Sequence, residues 1–194
     1  MNWRAATRCF RDMSPRAIVL WFTGLSGAGK STLAENLRRS LADEGRKILI
    51  LDGDDVRNRL HRHLGFTPED IRENNALIAG LCEENRECFD FILVPIISPY
   101  RESRAAARQR LAPDFHEIFI TANLQVLHDR DTKGLYQAAR RNEIDNLIGV
   151  SPASPYDSPD AAELVIDTGA ETTGLSCQRL LAYARRCTEL QGCN

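Results

Sequence analysis

The run AIVLWFT at residues 17–23 leaves this chain few folding choices. A near-continuous apolar stretch without alternation suits a strand buried on both faces, and such strands belong to parallel sheets covered by helices. The run ends in GLSGAGKS (24–31), after which residues 31–45 carry Leu33, Leu37 and Leu41 at helical spacing, with Gly45 as the stop. The alternation continues. Strands are predicted at 46–52, 89–97, 116–121 and 162–168. Helices are predicted at 68–84, around 124–129, 134–142 and 176–190. This is an α/β pattern: a three-layer fold with a central parallel sheet and helices on both faces. Ligands in such sheets bind beyond the carboxyl ends of the strands. The polar clusters at 24–31, 52–57 and 98–104 each follow a strand.

A length of 194 residues suits one domain with a sizeable core. We expect a flexible leader over 1–16 and a single domain over 17–194. The leader holds four arginines against one aspartate and lacks the apolar stretch of a secretory signal. A basic organelle-targeting fragment is the other reading of it. The net charge of −2 gives no global basic field for nucleic acid or a membrane surface. No apolar run approaches the roughly 20 residues of a membrane span. Cysteines at 9, 82, 88, 177, 187 and 193 form no C-x-x-C and have no histidine at zinc spacing. They read as core hydrophobes or free thiols in a reducing, cytoplasmic compartment.

Gly24-x-x-x-x-Gly29-Lys30-Ser31 matches the P-loop pattern. Gly24, Gly27 and Gly29 permit the positive φ values that turn backbone N–H groups inward. The helix beginning near Lys30 adds the positive end of its dipole. Lys30 supplies a full charge to the terminal phosphates of a nucleotide, and Ser31 offers a hydroxyl to Mg2+. The motif lies between a strand and an amphipathic helix, as its mechanics require.

LDGDDVRNRL (51–60) sets carboxylates at the end of the second strand. Asp54 or Asp55 is expected to cap a helix starting at Val56. One aspartate of the cluster suits Mg2+ and another suits the proton of an attacking hydroxyl. Arg57 and Arg59 would then face an anion. After the third strand, Arg101, Arg104 and Arg108 fall on one helical face. Arg101 and Arg104, nearest the strand end, are expected within reach of a phosphate, while Arg108 and Arg110 suit a solvated face. The basic segment 130–149 suits a closing element that excludes water.

Taken together, GLSGAGKSTLA, LDGDDVR, LGFTPED, ISPYRESR, RDTKGLY, SPYDSP and VIDT resemble the adenylylsulfate (APS) kinase family in order and spacing, from about residue 17 to 168. The resemblance implies a P-loop kinase-type fold and an ATP- and Mg2+-dependent enzyme, often a homodimer. It implies phosphorylation of the 3′-hydroxyl of APS to give PAPS, the activated sulfate donor. By the same resemblance, Gly29, Lys30, Ser31 and Thr32 hold ATP phosphates and metal. Asp54 is the base or a metal-linked carboxylate, with Asp52 in support. Arg57, Phe66 and Asn74 face the acceptor. Ser98, Pro99 and Tyr100 line its site, Lys133 helps hold it, and Arg130 and Arg140 belong to the closing segment.

The departures lie on the acceptor side. The family pattern D-R-x-E-N-I-R-R is here Asp70-Ile71-Arg72-Glu73-Asn74-Asn75-Ala76-Leu77. Arg72 is displaced by one position, about 100° of helical rotation. Leu147 stands where the family has an aromatic that sandwiches the acceptor base with Phe66. Such a chain fits APS kinase, or a relative with another nucleotide-activated acceptor such as cytidine diphosphoramidate. A nucleotide-binding regulatory module is the lesser alternative. No N-K-x-D tetrapeptide supports a guanine switch.

Overall fold

The computed structural model describes residues 16–60 and 62–191. Apart from Arg16, the expected leader lies outside the described residues, as do Cys9 and Cys193.

Five strands, β1 (Ile18–Thr23), β2 (Ile48–Ile50), β3 (Phe91–Pro95), β4 (Phe115–Thr121) and β5 (Leu164–Asp167), form one sheet in the order β2-β3-β1-β4-β5. All four pairings are parallel. The helices are α1 (Lys30–Asp43), α2 (Gly53–Arg59), α3 (Pro68–Asn85), α4 (Arg101–Leu111), α5 (Leu124–Arg130), α6 (Leu135–Arg140) and α7 (Thr173–Gln191). The predicted α/β three-layer architecture is the one observed.

Every residue of β1 is buried, because the period of two sends alternate side chains into two separate cores. Ile18, Leu20 and Phe22 join Leu33, Leu37 and Leu41 of α1 and Leu180 and Ala184 of α7. Val19 and Trp21 join Ile78 and Cys82 of α3 and Ala107 and Leu111 of α4. The three leucines of α1 are the buried stripe that the spacing predicts. Gly45, at φ 78°, ends the helix with its N–H on the Ala42 carbonyl at 2.9 Å. At its start, α3 carries a capping box between Thr67 and Asp70, with Pro68 in the first turn.

β3 and β5 are shorter than the predicted 89–97 and 162–168, and two further elements differ from expectation. β2 spans three residues, shorter than 46–52, because it is an edge strand of which only Leu49 is fully buried. α2 begins at Gly53 with Asp52 as its cap; neither Asp54 nor Asp55 plays that part. Among the described residues Cys82, Cys88, Cys177 and Cys187 are free thiols, and no helix is long and apolar enough to cross a membrane.

Candidate active site

The carboxyl ends of β1 and β3 and the segment after β5 open onto one cavity of about 560 Å3, a size typical of small-molecule sites. The P-loop is its floor. Gly29 caps α1 at φ 97° with no side chain to offer, and no carboxylate stands in the first turn. The helix start therefore keeps its positive end for an anion. Gly24 is required for another reason: a Cβ there would meet the Ile120 carbonyl oxygen of β4 at 2.0 Å. Neighbours tie the loop down. Thr168 Oγ1 donates to the Ala28 carbonyl at 2.9 Å, and Tyr136 Oη donates to the Ser26 carbonyl at 2.8 Å.

Lys30 is buried, with Nζ 2.8 Å from both the Gly24 and Leu25 carbonyls. Burial, seconded by the charge of Lys133, draws its pKa down to about 7 against the opposing pull of Asp52 and Asp54. Ser31 Oγ donates to Asp52 Oδ2 at 2.7 Å, and Asp52 Oδ1 accepts the Asp54 N–H at 3.0 Å. Two hard oxygens side by side at the P-loop suit Mg2+, which takes few protein ligands and keeps waters and phosphate oxygens for the rest. Ser31 is thus joined to Asp52, while Asp54 reaches across the cavity to an ion pair with Lys133.

Of the residues singled out on the acceptor side, Arg57, Phe66, Asn74, Ser98, Pro99 and Lys133 line the cavity. Phe66 is 59% exposed, with the Arg57 guanidinium 4.6 Å from its ring centroid. Arg57 also donates to the Gly65 carbonyl, and burial lowers its pKa.

Five others lie off the cavity lining. Arg72 turns to Glu102 at 3.0 Å and packs over the Tyr100 ring. Tyr100 is buried at the start of α4. Arg101 pairs with Asp160. Arg140 is exposed at the end of α6. Leu147 packs into the core that also holds the α1 leucines, and its neighbour Ile148 takes the cavity side. Arg104, expected near a phosphate, is instead buried against Glu117 at 2.6 Å and binds the carbonyls of Ser98, Pro99 and Asp157.

Sequence reasoning missed Ile71, Asn75, Ile148 and the cluster Thr168, Glu171 and Thr172 after β5. Ile71 and Asn75 were findable, since they share the helical face of Asn74. Arg130 clamps the β5 side, donating to Thr168 Oγ1 at 2.9 Å and to the Thr168 carbonyl at 2.6 Å.

The adenylylsulphate kinase sequence pattern matches residues 16–167. The chain belongs to the adenylylsulphate kinase family. Membership in this family makes it a kinase, a phosphotransferase. The adenylyl-sulfate kinases of Halothermothrix orenii and Paraburkholderia xenovorans are each 44% identical to it, over 87% of this chain and 89% and 93% of theirs. Among solved structures, the Mycobacterium tuberculosis APS kinase CysC in complex with AMPPNP and APS superposes with a TM-score of 0.82 at 36% identity. That match covers 87% of this chain and 98% of the other.

Proposed function

We propose that this chain transfers the γ-phosphoryl group of ATP to the 3′-hydroxyl of adenylylsulfate, giving PAPS and ADP. One observation carries the reading: a single cavity joins the P-loop lysine, the Ser31–Asp52 oxygen pair, Asp54 and the Phe66–Arg57 platform. Its relatives by sequence bear the same activity in their names.

In this reading the loop amides and Lys30 bind the β- and γ-phosphates. Ser31 and Asp52 hold Mg2+, which supplies charge neutralisation on the phosphoryl oxygens when bound. The resemblance offers Asp54, beside Ser31, as a metal-linked carboxylate or as the base; the 2.7 Å Ser31–Asp52 contact favours Asp52 at the metal. Asp54 is left as the base. As the acceptor oxygen bonds to the γ-phosphorus, its proton passes to the Asp54 carboxylate and the bond to the β–γ bridging oxygen breaks. Lys133 neutralises Asp54 in the nucleotide-free protein and moves onto phosphate when ATP enters. Phe66, backed by Arg57, offers one face for stacking the acceptor base. Ile148 bounds the cavity too, and among the described residues Phe66 is the one aromatic in its lining. The homodimer that the family resemblance implies and the cytoplasmic location read from the cysteines are part of the proposal, to be checked by sedimentation and by cell fractionation.

The test is a panel of acceptors with Mg-ATP: APS beside cytidine diphosphoramidate and other nucleotide adducts. Turnover of APS at micromolar concentration is expected. Preferential turnover of another adduct moves the acceptor, and ATP binding without transfer to any acceptor supports a regulatory module. Asp54→Ala is expected to keep ATP binding and lose about 100-fold or more in kcat; near-normal turnover would remove Asp54 from the role of base.

A further inference from the structure

We infer that Asn75 and Ser98 form a two-residue relay that reads an anionic oxygen of the acceptor. Asn75 donates to Ser98 Oγ, and the Ser98 hydroxyl turns its own proton into the cavity. The inference rests on the phosphotransfer reading and assigns part of its acceptor recognition.

Ile71, Asn74 and Asn75 stand at helical spacing on α3, and all three line the cavity. Asn75 is 4% and Ser98 2% exposed, so each borders the cavity with little of its side chain open. Asn75 Nδ2 lies 3.0 Å from Ser98 Oγ. A hydroxyl has one proton to give and two lone pairs to offer. With a donor on one lone pair, the proton must find an acceptor elsewhere, and the open side is the cavity.

Ser98 is poorly placed to swing away. Its backbone is left-handed at φ 44°, a conformation that non-glycine residues adopt where the surroundings enforce it. Its carbonyl is gripped by Arg104 Nη1 at 2.9 Å and Thr23 Oγ1 at 3.2 Å. The backbone that carries the hydroxyl is therefore held in place.

Charge selects the ligand class. The α3 residues facing the cavity are neutral, because Arg72 is spent on Glu102, Glu69 and the Tyr100 ring. Among the described residues, the acceptor side of the lining sets the cations Arg57 and Lys133 beside Asp52 and Asp54. A neutral donor near those cations suits a phosphoryl or sulfuryl oxygen, with a charge-assisted hydrogen bond as the gain. Asn75 touches no reacting atom here; it is a positioning residue acting through Ser98.

The experiment is a double-mutant cycle, Asn75→Leu, Ser98→Ala and the pair, with Asn75→Asp alongside. Calorimetric Kd for APS, KM for APS and for ATP, kcat and melting temperature are measured for each. Ser98→Ala is expected to weaken APS on the order of tenfold, the loss of one hydrogen bond to a charged group, with the KM for ATP within about twofold. Asn75→Leu should weaken APS similarly, and the double variant should be no worse than the worse single. Asn75→Asp should exceed Asn75→Leu, since a carboxylate takes the Ser98 proton and adds negative charge beside the anion. An unchanged APS Kd in Ser98→Ala overturns the relay, as does additive behaviour, an equal shift in both KM values, or Asn75→Asp milder than Asn75→Leu. If Asn75→Leu fails to fold, Ser98→Ala, which deletes one cavity-facing oxygen, carries the test alone. Failure of the phosphotransfer reading shows separately, as wild-type protein that turns over no APS.

Discussion

Lys30 illustrates how burial sets up a site before any ligand arrives. Its ammonium rests on the Gly24 and Leu25 carbonyl oxygens, and burial brings its pKa from 10.5 down to about 7. Between those values the unfolded chain holds a proton that the folded chain has released. The group's contribution to stability therefore rises with pH across that window, and below pH 7 the cost of burying its charge is at its full value. A triphosphate reverses the balance by supplying opposite charge. Mg-ATP binding at pH 8 is therefore expected to take up about one proton, read as a buffer-dependent binding enthalpy in calorimetry. Lys30→Met should show none of that uptake. Equal enthalpies in buffers of different ionisation heat would mean that the lysine stays charged throughout. Lys30 was legible in the sequence because its motif fixes both its neighbours and its chemistry. Leu147 and Arg101 were harder, because position along the chain does not say which way a side chain turns. Leu147 fills the core, and Arg101 finds Asp160 some sixty residues away.

At the level of elements, α2 shows one residue serving two purposes. Asp52 caps the helix through the Asp54 N–H and also meets Ser31 Oγ. Asp52→Asn keeps a capping oxygen and should melt close to the wild type, yet lose turnover through a poorer metal ligand. Asp52→Ala loses both, with a cap worth about 1 kcal/mol and a melting temperature lower by roughly 2–4 °C. Equal melting temperatures for the two variants would show that the cap contributes nothing. The helix itself was only half legible: three aspartates in LDGDDV all satisfy a capping preference, and the choice among them is made by where β2 ends. The strands were read more easily. Continuous apolar runs mark β1 and β3, buried on both faces, whereas the edge strand β2 contracted to Ile48–Ile50. Helical spacing found the leucine stripe of α1. Applied outward from Asn74, the same spacing would have found Ile71 and Asn75 as well.

Across the whole molecule, the sheet order divides the site in two. β1 and its P-loop stand in the middle, with β3, α2 and α3 to one side and β4, β5 and the Arg130 clamp to the other. The wall after β3 is held to β4 by a buried ion pair. Arg104, 3% exposed, meets Glu117 of β4 at 2.6 Å and grips the carbonyls of Ser98, Pro99 and Asp157. Glu117 is in turn held by Arg108, and its backbone N–H donates to Glu163 at 2.7 Å. Glu117→Ala strands the guanidinium in a dry interior, a loss of about 3–5 kcal/mol. For a chain of this size that is a fall in melting temperature of roughly 10 °C. The kinetic consequence should be one-sided. The carbonyls that Arg104 holds belong to the wall at Ser98 and Pro99, whereas Thr168 and Tyr136 tie the P-loop farther along, at Ala28 and Ser26. At a temperature where the variant is folded, KM for the acceptor should therefore rise several-fold more than KM for ATP. Saturating Mg-ATP, at about 100 times its Kd, should return close to 2.7 kcal/mol of the lost stability. If both KM values rise in step, the two sides of the cavity are mechanically one, and the division drawn from the sheet order fails.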